Sequence, residues 1–234
     1  MSVVLVLIAT GPEYRQFAGP LLESAERFLV PHQTLLFTDA PKDFRGWRVR
    51  AADLGYPMTT LLRYHLILSE SVALARFDHI FYCDIDMLFV DAVSEAEILS
   101  DGITATLHPG WIHRPHAAQF EERPESAAHV DVRSLSHNGL HYYCGGFVGG
   151  SSPAFLAMAE QIRRQVECDV KKGLIARWHD ESHLNRYLCD HPPARSLSPS
   201  FCYPPETRRA YYRGIWQGRD YEPKLMCLEK PWRR

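Results

Sequence analysis

The sequence predicts one α/β domain built on a largely parallel sheet. Three observations carry that expectation. The run Val3–Ala9 is apolar without interruption, as in a strand buried on both faces. Strand-like and helix-like segments then alternate over the first ninety residues, which argues for βα units. Finally, HIFYCDIDMLFVD, residues 79–91, puts Asp84 and Asp86 at the tip of an apolar strand. Parallel α/β sheets bind ligands beyond such carboxyl ends.

The elements follow in order. Val3–Ala9 reads as a first, central strand stopped by Thr10, Gly11 and Pro12. It is too short for a bilayer span of about 20 residues. It also lacks the basic flank of a secretory signal. Residues 13–30 carry Phe17, Leu21, Leu22, Ala25, Phe28 and Leu29 at helical spacing. Gln33–Thr38 is a second strand and 47–51 a third. MTTLLRYHLILSESVALAR, residues 58–76, predicts one long helix, and 78–83 the next strand. Residues 108–140 are rich in His, Pro, Arg and Glu and predict a long ordered loop with helical pieces. YYCGGFVGGSS, 142–152, sets four glycines among aromatics. Helices are predicted at about 153–172, before Gly173, and at 178–190. From about residue 203 the tail is rich in Tyr, Pro and Arg, and little regular structure is predicted there. Neither an internal repeat nor a domain boundary is visible.

The totals bound the function. The 234 residues suit one sizeable domain. With 26 basic and 28 acidic residues the net charge is −2, not the basic balance of a nucleic-acid binder. The six cysteines, Cys83, Cys144, Cys168, Cys189, Cys202 and Cys227, form no C-x-x-C pair, which disfavours a zinc knuckle. Their scatter favours reduced thiols. A soluble, cytoplasmic protein is expected.

Two segments carry chemistry. In an extended stretch residues i and i+2 point the same way, so Asp84 and Asp86 can face one hard cation. Oxygen ligands suit Mg²⁺ or Mn²⁺, which also bind substrate phosphates. The plain alternative is a solvated strand end. In WHDESHLN, residues 178–185, His179 and His183 are four apart, but the zincin pattern needs Glu directly after the first His, and Asp180 stands there. An amphipathic surface helix is the other plain reading. Adjacent carboxylates Asp180 and Glu181 beside Trp178 suit a sugar site instead. Carboxylates bind hydroxyls and stabilise or attack an oxocarbenium-like centre.

These motifs together resemble a known family. DID at 84–86, HPG at 108–110, ERPESAA at 122–128, YYCGGFVGGS at 142–151, WHDESHLN at 178–185 and LSP at 197–199 follow the order seen in glycosyltransferase family 6. That family holds the histo-blood-group ABO transferases and the α-1,3-galactosyltransferases. The resemblance covers about residues 3–203. It implies a GT-A fold: a Rossmann-like, mostly parallel central sheet flanked by helices. It would be a single catalytic domain, with a nucleotide-binding part over about 1–90, an acceptor and catalytic part over 91–203, and a tail at 204–234.

The resemblance also implies a reaction. Galactose or N-acetylgalactosamine moves from a UDP-sugar donor to the 3-position of a galactose-containing acceptor, with retention. Asp84 and Asp86 match the D-x-D that holds Mn²⁺, or Mg²⁺. Glu181 matches the nucleophile or oxocarbenium stabiliser. Asp180 and Arg63 match donor contacts, and Tyr14, Ile8, Ala9, Ile85, Gly145 and Gly146 fall on the donor side. His108, Trp178 and Cys144 match acceptor contacts. Gly146 stands where the A-type transferase has Gly and the B-type Ala, which leans toward UDP-GalNAc, whereas Cys144 departs from the Leu or Met of those enzymes. His108 fits the ABO enzymes and suggests Fucα1-2Gal as acceptor. The chain shows neither the membrane anchor nor the stem of the vertebrate enzymes, which fits a microbial or viral form or a trimmed one. Lys230, Arg233 and Arg234 either fold over the diphosphate, as in the family, or fray.

Two other classes stand beside this one. A metal-dependent phosphohydrolase would use Asp84, Asp86 and Asp91. A non-catalytic carbohydrate-binding module would not need a D-x-D at a strand end.

Overall fold

The computed structural model describes residues 1–133, 140–230 and 232. Arg233 and Arg234 of the expected tail site lie outside them. A seven-stranded sheet has the order β3-β2-β1-β4-β7-β6-β8. Its strands are β1 (Val3–Ala9), β2 (Gln33–Thr38), β3 (Trp47–Arg50), β4 (His79–Cys83), β6 (Ile103–Leu107), β7 (Tyr143–Ser151) and β8 (Arg195–Leu197). Of the seven, β7 alone runs antiparallel to its neighbours, β4 and β6. A two-stranded antiparallel ladder joins β5 (Met87–Phe89) to β9 (Leu225–Cys227). The mostly parallel sheet flanked by helices is the expected GT-A-like architecture.

β1 explains why the centre is apolar on both faces. Val3, Leu5 and Leu7 pack with Ala18, Leu21 and Ala25 of the helix Ala18–Phe28. Val4, Val6 and Ile8 pack on the other face with Tyr64, Ile67, Phe155, Met158 and Ile162. Each of these large apolar side chains contributes about 1.5–3 kcal/mol by burial. Glycines let β7 come close to its neighbours. A Cβ on Gly149 would lie 2.2 Å from Phe81 Cδ1 and 2.6 Å from the Ile80 carbonyl. Phe81 uses that space to stack on Phe147, centroids 5.4 Å apart.

The structure departs from the expectations in several places. Residues 58–76 form three short helices, Met58–Leu61, Arg63–Ser69 and Ser71–Leu74, not one. Near the second break the Ser69 hydroxyl donates to the Leu66 carbonyl at 2.6 Å, a side-chain bond that competes with the helix ladder. The tail is more regular than expected, with the helix Glu206–Ile215 and then β9. Strands β5 to β8 were not legible as strands, because glycines, a bulge between Ala105 and Thr106, and three-residue lengths blur their period. The helix at 178–190 begins only at Asp180.

Candidate functional site

The site forms where the carboxyl end of β4 meets the start of β7. The Asp84 N–H donates to the Gly146 carbonyl at 2.8 Å, which ties the DID tip to the YYCGG segment. The tip itself is a turn rather than the extended stretch the sequence suggested. Both carboxylates nevertheless line one cleft, of ≈ 230 Å³, together with Ile8, Tyr14, Arg63, Ile85, Gly145, Trp178, Asp180 and Glu181. A neighbouring cleft of ≈ 330 Å³ is lined by His108, Cys144, Gly146, Arg208 and Tyr212. Asp84, Asp86, Glu181 and Lys230 border both clefts. Ala9 lies in the core on the opposite face of β1 from Ile8.

Arg63 holds this junction together. It is 4 % exposed. Its Nη1 donates to the Gly145 carbonyl at 2.7 Å, Nη2 lies 3.2 Å from Asp84 Oδ1, and Nε lies 2.8 Å from Asp180 Oδ2. Its guanidinium also stacks 4.3 Å from the Tyr82 ring centroid. Burial opposes the Arg63 charge, but Asp180, Tyr82 and Asp84 outweigh it and hold its pKa well above the ordinary value. The Tyr82 hydroxyl donates to Asp84 Oδ1 at 2.8 Å.

The two carboxylates of WHDESHLN open the helix Asp180–Asp190, preceded by His179 at φ 53°. That backbone turn takes His179 off the helix, while His183 is fully buried with its Nε2 3.6 Å from Asp169. The two histidines therefore do not share a helix face, and a zincin arrangement is absent. Glu181 accepts from the Gly145 N–H at 2.9 Å and from the Tyr142 hydroxyl at 3.1 Å. Burial pushes its carboxyl up to about 7 against those two donors. Burial likewise raises Asp180 to about 7, with Arg63 opposing. Asp180 is 1 % exposed, and its ion pair with Arg63 lacks the alignment of a hydrogen bond. A hydroxyl-rich ligand would supply the donors that this carboxylate lacks.

At the tip, Asp86 pairs with Lys230, whose ammonium also sits 5.7 Å over the Tyr14 ring. Burial first and Asp84 second raise the Asp86 pKa, and Lys230 opposes them. The Leu228 N–H donates to the Asp86 carbonyl at 2.8 Å, and Trp232 packs against Tyr14 and Phe17. Lys230 thus sits at the tip, against Asp86. Asp91 stands apart: it pairs with Lys224 at 2.8 Å and lines neither cleft, so the three-aspartate arrangement of a phosphohydrolase does not form.

On the second cleft, His108 Nδ1 accepts from the Gly110 N–H at 3.0 Å, and burial lowers its pKa to about 4, so the ring is neutral. Trp178 is 44 % exposed and lines the first cleft with Asp180 rather than the His108 cleft. Tyr142, Arg208 and Tyr212 were not singled out from the sequence. Tyr142 lies inside YYCGGFVGGS, whereas Arg208 and Tyr212 belong to no motif.

Residues 60–213 match the family model described as Glycosyltransferase family 6. The chain is 33% identical over 207 residues to histo-blood group ABO system transferase 1 of Rattus norvegicus, covering 82% of this chain and 58% of that protein. It is 34% identical over 219 residues to globoside alpha-1,3-N-acetylgalactosaminyltransferase 1 of Gallus gallus, covering 87% and 62%. It is 26% identical over 212 residues to the O-antigen biosynthesis glycosyltransferase WbnI of Escherichia coli, covering 87% and 88%. The chain therefore spans about three-fifths of the length of the two vertebrate relatives. Among the described residues no helix is long and apolar enough to cross a membrane. A family model that matches most of the chain, over the same mostly parallel sheet and carboxylate-lined junction, leads to one conclusion: the chain belongs to glycosyltransferase family 6.

Proposed function

We propose that this chain is a retaining glycosyltransferase. It moves N-acetylgalactosamine, or galactose, from the UDP ester to the 3-position of a galactose in an acceptor such as Fucα1-2Gal, making an α-1,3 link. The observation that supports this reading is the placement of Glu181 on the border of two clefts. Its carboxylate would meet the anomeric carbon of a donor in the first cleft and an acceptor hydroxyl in the second.

Each chain residue has a role in this reading. Asp180 accepts hydroxyls of the donor sugar, and Arg63 holds Asp180, Asp84 and the Gly145 carbonyl in one geometry. Glu181 faces the oxocarbenium-like centre or attacks it, oriented by Gly145 and Tyr142. Tyr14, Ile8 and Ile85 line the donor cleft, and His108 and Cys144 the acceptor cleft. The tip draws a cation, since Lys230 already places one on Asp86. Asp84 and Asp86 would hold Mn²⁺ or Mg²⁺, which neutralises the diphosphate and stabilises departing UDP. Gly146 lines the second cleft and not the donor cleft where the resemblance put it, so the GalNAc preference rests on the resemblance at this position alone. A methyl there would come within 3.2 Å of Met87 Sδ and 3.4 Å of Asp84 Oδ2, crowding the tip. Such a difference is worth only about 1–3 kcal/mol, so galactose is the natural second donor.

The test is mass-resolved product formation from UDP-GalNAc and UDP-Gal in one mixture. Fucα1-2Gal is the acceptor, with Mn²⁺ present and then chelated. A HexNAc adduct that vanishes on chelation is the expected result. A hexose adduct overturns the reading of Gly146, and release of neither UDP nor adduct overturns the transferase.

A further inference from the structure

The acceptor cleft contains a cation that the family motifs do not explain. The helix Glu206–Ile215 forms one wall of that cleft and carries three arginines. Two of them are held by carboxylates: Arg209 by Glu206 at 2.6 Å and Arg213 by Asp220 at 2.8 Å. The third, Arg208, lines the cleft and has no carboxylate partner among the described residues. The other charged groups on this cleft are engaged or belong to the chemistry. Lys230 is paired with Asp86, Glu229 accepts from the Thr207 hydroxyl, and Asp84 and Glu181 are bound to Arg63 and Tyr142.

The wall is also anchored in place. The Trp216 indole N–H donates to the Pro109 carbonyl at 3.0 Å, which ties the end of the helix to the segment bearing His108. A Cβ on Gly110 would lie 3.2 Å from the His108 ring and 3.8 Å from Tyr212 Cε1, so ring, turn and helix are packed together. Arg208 is therefore presented from the same rigid wall as His108 and Tyr212, facing the space a glycan would fill.

We propose that Arg208 selects an acceptor glycan carrying a negative charge, a carboxylate or a phosphate, on the sugar next to the accepting galactose. This rests on the transferase reading. An exposed guanidinium at the mouth of a cleft binds either oxyanion through paired N–H donors, and none of the carboxylates on this cleft is paired with it: Asp86 holds Lys230, Asp84 holds Arg63, Glu181 accepts from Tyr142 and Glu229 from Thr207. Arg208 is a specificity residue and takes no part in the bond-making step.

The test compares three acceptors of one skeleton: a galactoside with a neutral neighbour, the same with a uronic acid, and the same with a sugar phosphate. kcat/KM is measured for each with UDP-GalNAc. A preference of about tenfold or more for at least one anionic acceptor is expected, shrinking as salt rises from about 0.1 M to 1 M. The two anionic arms tell carboxylate from phosphate. Arg208→Gln should bring the anionic-to-neutral ratio to about one, and Arg208→Lys should keep part of it. Because the reading is a ratio, a general loss of folding moves both terms together. Equal efficiency on all three acceptors, or an unchanged ratio in Arg208→Gln, overturns the inference and keeps the transferase. UDP release without transfer to any of the three overturns the inference, and no UDP release at all overturns the transferase itself.

Discussion

Replacing Glu181 by Gln separates catalysis from stability, and the structure sets the size of both effects. Gln keeps both hydrogen bonds: its amide oxygen can accept from the Gly145 N–H and its NH₂ can donate to the Tyr142 hydroxyl. What it removes is the charge. Glu181 is held at about 7 in the folded protein against 4.5 ordinarily, so the folded state prefers the protonated form. A carboxyl with a raised pKa favours folding fully below its unfolded pKa and loses that contribution as pH rises through the folded one. At pH 8 the cost of the ionised Glu181 is about 3 kcal/mol, and at pH 5 it is below about 1 kcal/mol. Gln carries no such cost. The variant should therefore melt roughly 6–12 °C above the parent at pH 8 and within a few degrees of it at pH 5. Thermal unfolding by circular dichroism across that range, without metal, measures it. The same variant should lose transfer by about a hundredfold or more while UDP binding changes little. A melting difference that stays flat with pH refutes the placement of a buried, charged Glu181. Wild-type turnover refutes its role.

Three further outcomes follow from the same geometry. Lys230→Met removes the cation already on Asp86 and should raise Mn²⁺ affinity roughly tenfold, read by the paramagnetic resonance of free Mn²⁺; equal or weaker binding would show that the tail does not compete for the tip. Asp86→Asn should weaken Mn²⁺ binding in the same assay, and an unchanged titration would remove Asp86 from the metal site. Gly149→Ala drives a methyl to 2.2 Å from Phe81 Cδ1 and should cost more than about 3 kcal/mol or prevent folding, with urea unfolding as the check.

How much of this was legible in the sequence depends on which signal each element carries. β1 matches the residues expected because a strand buried on both faces is a continuous apolar run, and β2 matches through its apolar centre of Leu35, Leu36 and Phe37. The DID tip and WHDESHLN were found as chemistry, since clustered carboxylates next to apolar runs are costly without a purpose. Their convergence was not legible. It depends on β7 entering antiparallel between β4 and β6, and its glycines carry no period-2 pattern. The helix Glu206–Ile215 escaped for a different reason: it is ten residues long and buries no residue of its own, so its amphipathic pattern is not that of a core helix. That is also why Arg208 and Tyr212 came only from the structure.

Arg63 shows why the site has the form it does. Three carboxylates, Asp84, Asp180 and Glu181, approach one junction from two chain segments, and a buried cation, Arg63, stands among them. An ammonium could neutralise one of them. A planar guanidinium reaches Asp84, Asp180 and the Gly145 carbonyl at once, at 3.2, 2.8 and 2.7 Å, and so fixes the angle between the DID tip, the helix start and β7. Arg63 is the first residue of the helix Arg63–Ser69, directly after the interruption at Leu62. The interruption that the periodicity of 58–76 did not predict thus falls next to the residue that holds the site together. Arg63 bonds the Gly145 carbonyl while Glu181 bonds the Gly145 N–H, so a single peptide segment of β7 carries the alignment between donor-side and catalytic carboxylates.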